Sequence, residues 1–161
     1  MLRIATLALA FAATPALAGP ADEFLAGIDG KWRGGGTLSV GSDGKQTKVR
    51  CSLTNTLSGA TLALDGNCAS SAGKRALKGE LTASGSNIRS SALTLPGAGI
   101  LKSPSSRFSG DTLTITGSLD EGGRSVPIRN TLRRSGASLT LSVAARKDGG
   151  WQDRGTLTFR R

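Results

Sequence analysis

The sequence predicts an all-β fold: an antiparallel up-and-down meander of eight or nine strands, preceded by one short helix. Three observations carry this. A phrase built of a glycine turn and an alternating strand recurs as "GGTLSV" (35–40), "GATLAL" (59–64), "GELTA" (79–83), "GDTLTIT" (110–116), "GASLTLSV" (136–143) and "GTLTF" (155–159). Within it Thr and Ser alternate with Leu, Ile and Val at period two, the pattern of strands with one face in a core and one in water. Short turns such as "SDGK", "SAGK", "SGSN", "DEGGR" and "RSGA" separate the strands. The varying repeat length sets the chain apart from a tandem solenoid. A meander of this kind closes as a barrel or folds as a sandwich.

The elements follow in order. Arg3, the apolar run "IATLALAFAA" and the small residues Ala16-Leu17-Ala18 read as an export signal, with cleavage expected after Ala18. Gly19 follows rather than Cys, so no lipid-modified terminus is expected, and removing residues 1–18 from 161 leaves 143, enough for one domain. The expected location is the periplasm or the extracellular space. "PADEFLAGI" (20–28) reads as the helix: Pro20 suits its first turn, Asp22 and Glu23 its positive end, and Phe24 and Ile28 share a face. The first strand opens at "GKWRGGG", with Trp32, Gly34, Gly36, Leu38 and Val40 on one face.

Both cysteines lie in "CSLTNTLSGATLALDGNC" (51–68). Export exposes them to an oxidising compartment, where an even count favours a bridge. A two-residue turn centred between Gly59 and Ala60 places Leu57 opposite Leu62 and Cys51 opposite Cys68, within disulfide reach. Glycine at the first turn position suits type II′. The chain has no histidine and no CxxC, so a metal site is not expected and a Cys51–Cys68 disulfide is. Farther on, "LPGAGILKSPSS" (95–106) reads as the longest loop. Its Ile100 and Leu101 would serve as a lid or partner contact, or tuck into the end of the fold.

Gly30-Lys31-Trp32, a GxW after a short N-terminal helix, together with a last strand ending in Arg160 and Arg161, resembles the calycin pattern of lipocalin-like and avidin-like barrels. The resemblance implies a closed barrel whose floor is sealed by Trp32, with a basic side chain, Arg160 or Arg161, packed across it. Over residues 27–68, the GxW followed by a Cys–Cys hairpin is also similar to small periplasmic inhibitors of secreted metalloproteases. That likeness implies a protease as partner, although "GPADEF" reads as an acidic helix start.

The chemistry is narrowed by what is missing. Without histidine or tyrosine, and with both cysteines bridged, the common triads and thiol nucleophiles are not expected. Asp43, Asp111, Asp120, Glu121 and Asp148 fall in turns, no calcium-loop ligand series is present, and "GGG" (34–36) lies in an expected strand rather than before a helix. No enzyme activity and no cofactor are therefore expected. The net charge is +10, and residues 124–161 hold nine Lys/Arg against Asp148 and Asp153. Strand parity turns Arg129, Arg133, Arg146, Arg154 and Arg160 outward, a face for an anionic envelope polymer or lipid or, more plainly, for solubility. Few aromatics and export argue against nucleic acid, and polar outward positions argue against a membrane-spanning barrel. Inward positions Gly34, Gly36, Gly66, Gly79, Ala83, Gly117 and Ala145 are small. They leave two alternatives, a cavity for a small apolar ligand or walls that close on a dry core. The expectation is a monomeric, non-catalytic binding protein, with a periplasmic protease inhibitor as the alternative.

Overall fold

The computed structural model describes residues 19–39, 44–95 and 99–161. The expected export signal and cleavage after Ala18, together with Val40 and Asp43, lie outside the described residues. Helix α1 (Pro20–Ile28) leads into β1 (Gly30–Ser39), β2 (Gln46–Ser58), β3 (Thr61–Ser70), β4 (Gly73–Ser84) and β5 (Asn87–Leu95). Then come β6 (Gly99–Ile100), β7 (Lys102–Ser109), β8 (Thr112–Glu121), β9 (Arg124–Ser135), β10 (Ser138–Lys147) and β11 (Gly150–Arg160). The strand count exceeds the expected eight or nine because most of "GILKSPSSRFS", assigned largely to a loop by its composition, is extended. Serines and a proline mask its period. Pro104 sits at a register irregularity between Lys102 and Ser105, where the ladder needs no N–H donor.

The described strands form one antiparallel sheet in the order β6-β5-β4-β3-β2-β1-β11-β10-β9-β8-β7. Its two ends, β6 and β7, are consecutive in the chain and joined by Leu101, so the sheet curls into a nearly closed barrel whose seam is one interrupted strand. β6 pairs with β5, and β7 pairs with β8. Between β5 and β7 the seam is closed by side chains: the Ser106 hydroxyl donates to the Ile88 carbonyl, and the Phe108 N–H donates to Asn87 Oδ1 at 3.1 Å.

Seven two-residue turns produce this topology. Four of them pair a positive-φ glycine in first place with a non-glycine residue in second: Gly59 (57°), Gly85 (62°), Gly110 (60°) and Gly136 (55°). That is the first-position requirement of a type II′ hairpin, and it explains why the glycine-led phrase recurs. All four turns lie at the end of the barrel that α1 plugs. Ala21, Phe24, Leu25 and Ile28 of α1 are buried there, and Phe24 packs against Phe108 with ring centroids 5.0 Å apart. At the helix start, Asp22 accepts the Gly19 N–H at 3.0 Å.

The interior is packed rather than hollow. A Cβ on Gly66 would lie 2.4 Å from Leu53 Cδ2, one on Gly79 2.9 Å from Leu93 Cδ1, and one on Gly117 2.7 Å from Leu101 Cγ. Each small residue is therefore the socket for a leucine. Gly34 and Gly36 have a different role: a Cβ there would lie 1.9 Å from the Thr158 and Thr156 carbonyl oxygens of β11. The wall bends so sharply at β1 that backbone takes the place of side chains.

In the β2–β3 ladder Cys51 faces Cys68 and Leu57 faces Leu62, and Cys51–Cys68 is a disulfide closing a separation of 17 residues. Both residues are buried in the core. Replacing the pair by Ser should lower unfolding free energy by about 3 kcal/mol. Urea titration of oxidised wild type against the double variant measures this, and equal midpoints would remove the stabilising role.

Candidate functional site

The floor of the barrel is built on one carbonyl. α1 ends at Ile28, whose C=O has no helical donor left to accept. It accepts instead from Trp32 Nε1 at 2.9 Å and from Asn55 Nδ2 at 2.8 Å. Asp29, the next residue, accepts the Leu57 N–H at 2.9 Å. Arg161 lies across the Trp32 ring, 5.0 Å from its centroid, and its Nη2 donates to the Gly27 and Asp29 carbonyls, each at 3.0 Å. Arg160 is not part of this floor. It points outward on β11, opposite Arg33 of β1.

The four arginines expected to form one anionic contact face differ in what surrounds them. Arg133 is tied to Asp111 at 3.4 Å. The Thr112 hydroxyl, followed by the Arg133 guanidinium, holds the Asp111 carboxyl below its ordinary value. Arg129 stacks on Trp151, 4.6 Å from the ring centroid. Arg146 is exposed. Arg154 departs from the parity expected of it. Val143 pairs with Gly155 and Ala144 with Asp153, which leaves Arg154 as the extra residue of a bulge. Its guanidinium meets Glu121 at 3.4 Å, with the two side chains 17% and 16% exposed. Leu101 tucks into the barrel wall at 2% exposure and donates its N–H to the Leu93 carbonyl at 2.8 Å, whereas Ile100 is 64% exposed.

A different basic face emerges on the outer wall over β1–β4. Arg33, Lys48, Arg50 and Lys74 converge on a groove of about 800 Å³ floored in part by Gly35 and Ala69. No carboxylate of the described residues lines it. The ladders fix the spacing: Gly35, Arg50, Ala69 and Lys74 lie in one row across four strands. Arg50 and Lys74 are therefore about 10 Å apart at their backbones. Arg33 flanks the row and faces Arg160 directly across the β1–β11 ladder. Arg33, Lys48, Arg50, Lys74 and Arg160 are all exposed, and none forms an ion pair among the described residues. The groove runs on. Thr37 at its rim pairs with Thr156, which lines a second depression of about 260 Å³ with Trp151, Arg129, Ser142 and Asp153.

The lumen holds the other polar feature. Asn55 and Asn130, each 2% exposed, are the buried polar residues of the core. They line a cavity of about 50 Å³ whose remaining walls are Leu, Ile and Phe. Neither amide atom of Asn130 has a partner, nor does Asn55 Oδ1.

Some of these residues were readable by parity. Asn55 follows Val49, Cys51 and Leu53 on an inward face, and Asn130 sits between Ile128 and Leu132. In the same way Lys48 and Arg50 alternate with Val49 and Cys51. In the sequence the charge excess lies after residue 124, whereas in the fold Asp111 and Glu121 offset part of it.

Comparison with known proteins places the fold. No protein-family model matches the chain, and no curated protein matches it. Among solved structures it is similar to Rv2717c from M. tuberculosis, with a TM-score of 0.64 and 17% identity over 88% of this chain and 97% of that one. At that identity the likeness establishes a shared small β-barrel fold.

The two terminal arginines separate cleanly by experiment. Arg161→Ala should cost about 1 kcal/mol through the loss of its two carbonyl bonds and the contact with Trp32. Arg160→Ala should leave stability unchanged to within about 0.5 kcal/mol. Urea unfolding of both variants measures the contrast, and equal losses would contradict the assigned floor.

Proposed function

We propose that this protein is a non-catalytic binding module, exported to the periplasm or the cell exterior, that holds an acidic polysaccharide of the envelope along its outer wall. The reading rests chiefly on the groove over β1–β4, where Arg33, Lys48, Arg50 and Lys74 converge without a carboxylate among the described residues. A solubility role does not call for such clustering. Like charges placed directly opposite across a ladder, as Arg33 and Arg160 are, cost stability. An anionic partner relieves that repulsion. A chain ligand suits a row of cations at regular strand spacing, and at the far end Trp151, 38% exposed with Arg129 over its ring, adds an aromatic–cation pair to the same wall. Export rests on the signal-like residues 1–18. Kinship with calycin barrels draws support from Gly30-Lys31-Trp32 and the Trp32–Arg161 contact.

The alternative of a protease inhibitor has less behind it. Residues 20–28 would have to leave the core, where Phe24, Leu25 and Ile28 are buried, before they could enter a protease cleft. An apolar ligand of drug size is also poorly served, since such sites span about 300–1,000 Å³ and the lumen offers about 50 Å³.

Calorimetry with a polyuronate tests the proposal. Binding should weaken steeply with salt and be absent for a neutral glycan of equal length. Arg50→Ser with Lys74→Ser should lower affinity by about tenfold or more. Equal binding of neutral and acidic glycans, or an unaffected double variant, would refute it. Binding only to anionic vesicles would make the partner a lipid surface instead.

A further inference from the structure

The lumen carries an inference independent of the outer wall. Asn130 is 2% exposed, faces inward from β9, and has partners for neither Oδ1 nor Nδ2. Exchanging the two amide atoms leaves both still orphaned, so the observation does not depend on which is oxygen. Asn55 adds a third orphan, Oδ1, on the same cavity, while its Nδ2 is engaged by the Ile28 carbonyl. Buried polar atoms in natural proteins find partners in the protein, in ordered water or in a ligand, so three atoms on one cavity without a protein partner make it a polar site able to take a guest. The walls define its chemistry. Leu53, Leu93, Leu132 and Phe159 supply apolar contact, and no charged side chain lines the cavity to neutralise an ion. The space limits its size: at about 50 Å³, it matches a molecule of a few heavy atoms, given that water occupies about 30 Å³ in the liquid.

We propose that the lumen beside Asn130 and Asn55 binds a small neutral molecule whose head presents a hydrogen-bond donor and acceptor side by side on a short apolar body. A short primary amide or a protonated short carboxylic acid has this form. Its carbonyl accepts from Asn130 Nδ2 while its N–H or O–H donates to Asn130 Oδ1. An amide has a second N–H for Asn55 Oδ1. The ionised carboxylate lacks the donor and meets no cation, so it is excluded.

Titrating acetamide into the ¹⁵N-labelled mature chain tests this, with acetic acid below and above its pKa as the second arm. Acetamide should shift the Asn130 side-chain NH₂ resonance saturably at millimolar concentration or above, with contacts to lumen leucine methyls. Acetic acid should do so below its pKa only. Asn130→Leu should abolish the shifts at the lumen. Leu132→Phe, which fills the same space and keeps both asparagines, should abolish them too, so that one variant's failure to fold leaves the other decisive. No saturable shift at any soluble concentration would overturn the proposal. So would nuclear Overhauser contacts showing ordered water alone on Asn130, or equal binding of ionised acetate.

Discussion

The close approach of bare backbone at β1 is the constraint on which the rest of the molecule depends. Gly34 and Gly36 let the β11 carbonyls come within 1.9 Å of where a Cβ would sit, and Gly35 does the same toward the Val49 carbonyl at 2.3 Å. A sheet of this many strands encloses a wide lumen unless its wall bends or flattens. Here it bends at three consecutive residues without side chains, and leucines from facing strands fill the sockets left at Gly66, Gly79 and Gly117. The same segment shapes the exterior. Gly35 contributes no side chain to the outer wall, so the bases on either side of it border a groove instead of a ridge.

Charge is distributed by the same geometry. Arg133 is matched by Asp111 of the β7–β8 turn and Arg154 by Glu121 of β8, at 3.4 Å in each case. The Arg133 pair is exposed and contributes little to stability. Both pairs matter because they remove those two arginines from the pool available to an anionic partner. The bases around the β1–β4 groove have no such neighbours among the described residues, so the positive potential concentrates where the surface is concave. Interior and exterior are thus chemically separate. Outside is a field for anions, and inside is an apolar space with two asparagines.

The fold was legible in the sequence wherever a local rule decided it. Glycine at the first position of a two-residue turn fixed the hairpins, and turn register alone placed Cys51 against Cys68. Helix α1 was readable from Pro20, its acidic start and the Phe24/Ile28 spacing. Legibility failed where an element depends on its neighbours. β7 has serines and Pro104 where alternation would mark a strand, and it is extended because β8 pairs with it. Arg154 was assigned outward because parity counts assume an unbroken ladder, and one bulge shifts the count. The choice between Arg160 and Arg161 as the floor residue is set by where β11 ends relative to Trp32, a relation between chain ends that no local pattern encodes. The two asparagines were visible as polar breaks in inward strings, yet only the folded barrel shows which of their amide atoms find partners among the described residues.

The most direct test of this account compares two glycines of the same sheet by equilibrium unfolding. Gly36→Ala would set a Cβ 1.9 Å from the Thr156 carbonyl oxygen, while Gly150→Ala would meet nothing nearer than the Lys147 carbonyl at 4.0 Å. The expected result is a loss of about 1–3 kcal/mol or more at Gly36, with Gly150→Ala within about 0.5 kcal/mol of wild type. Equal stability of the two variants would mean that the wall does not close on bare backbone at β1, and would contradict the account.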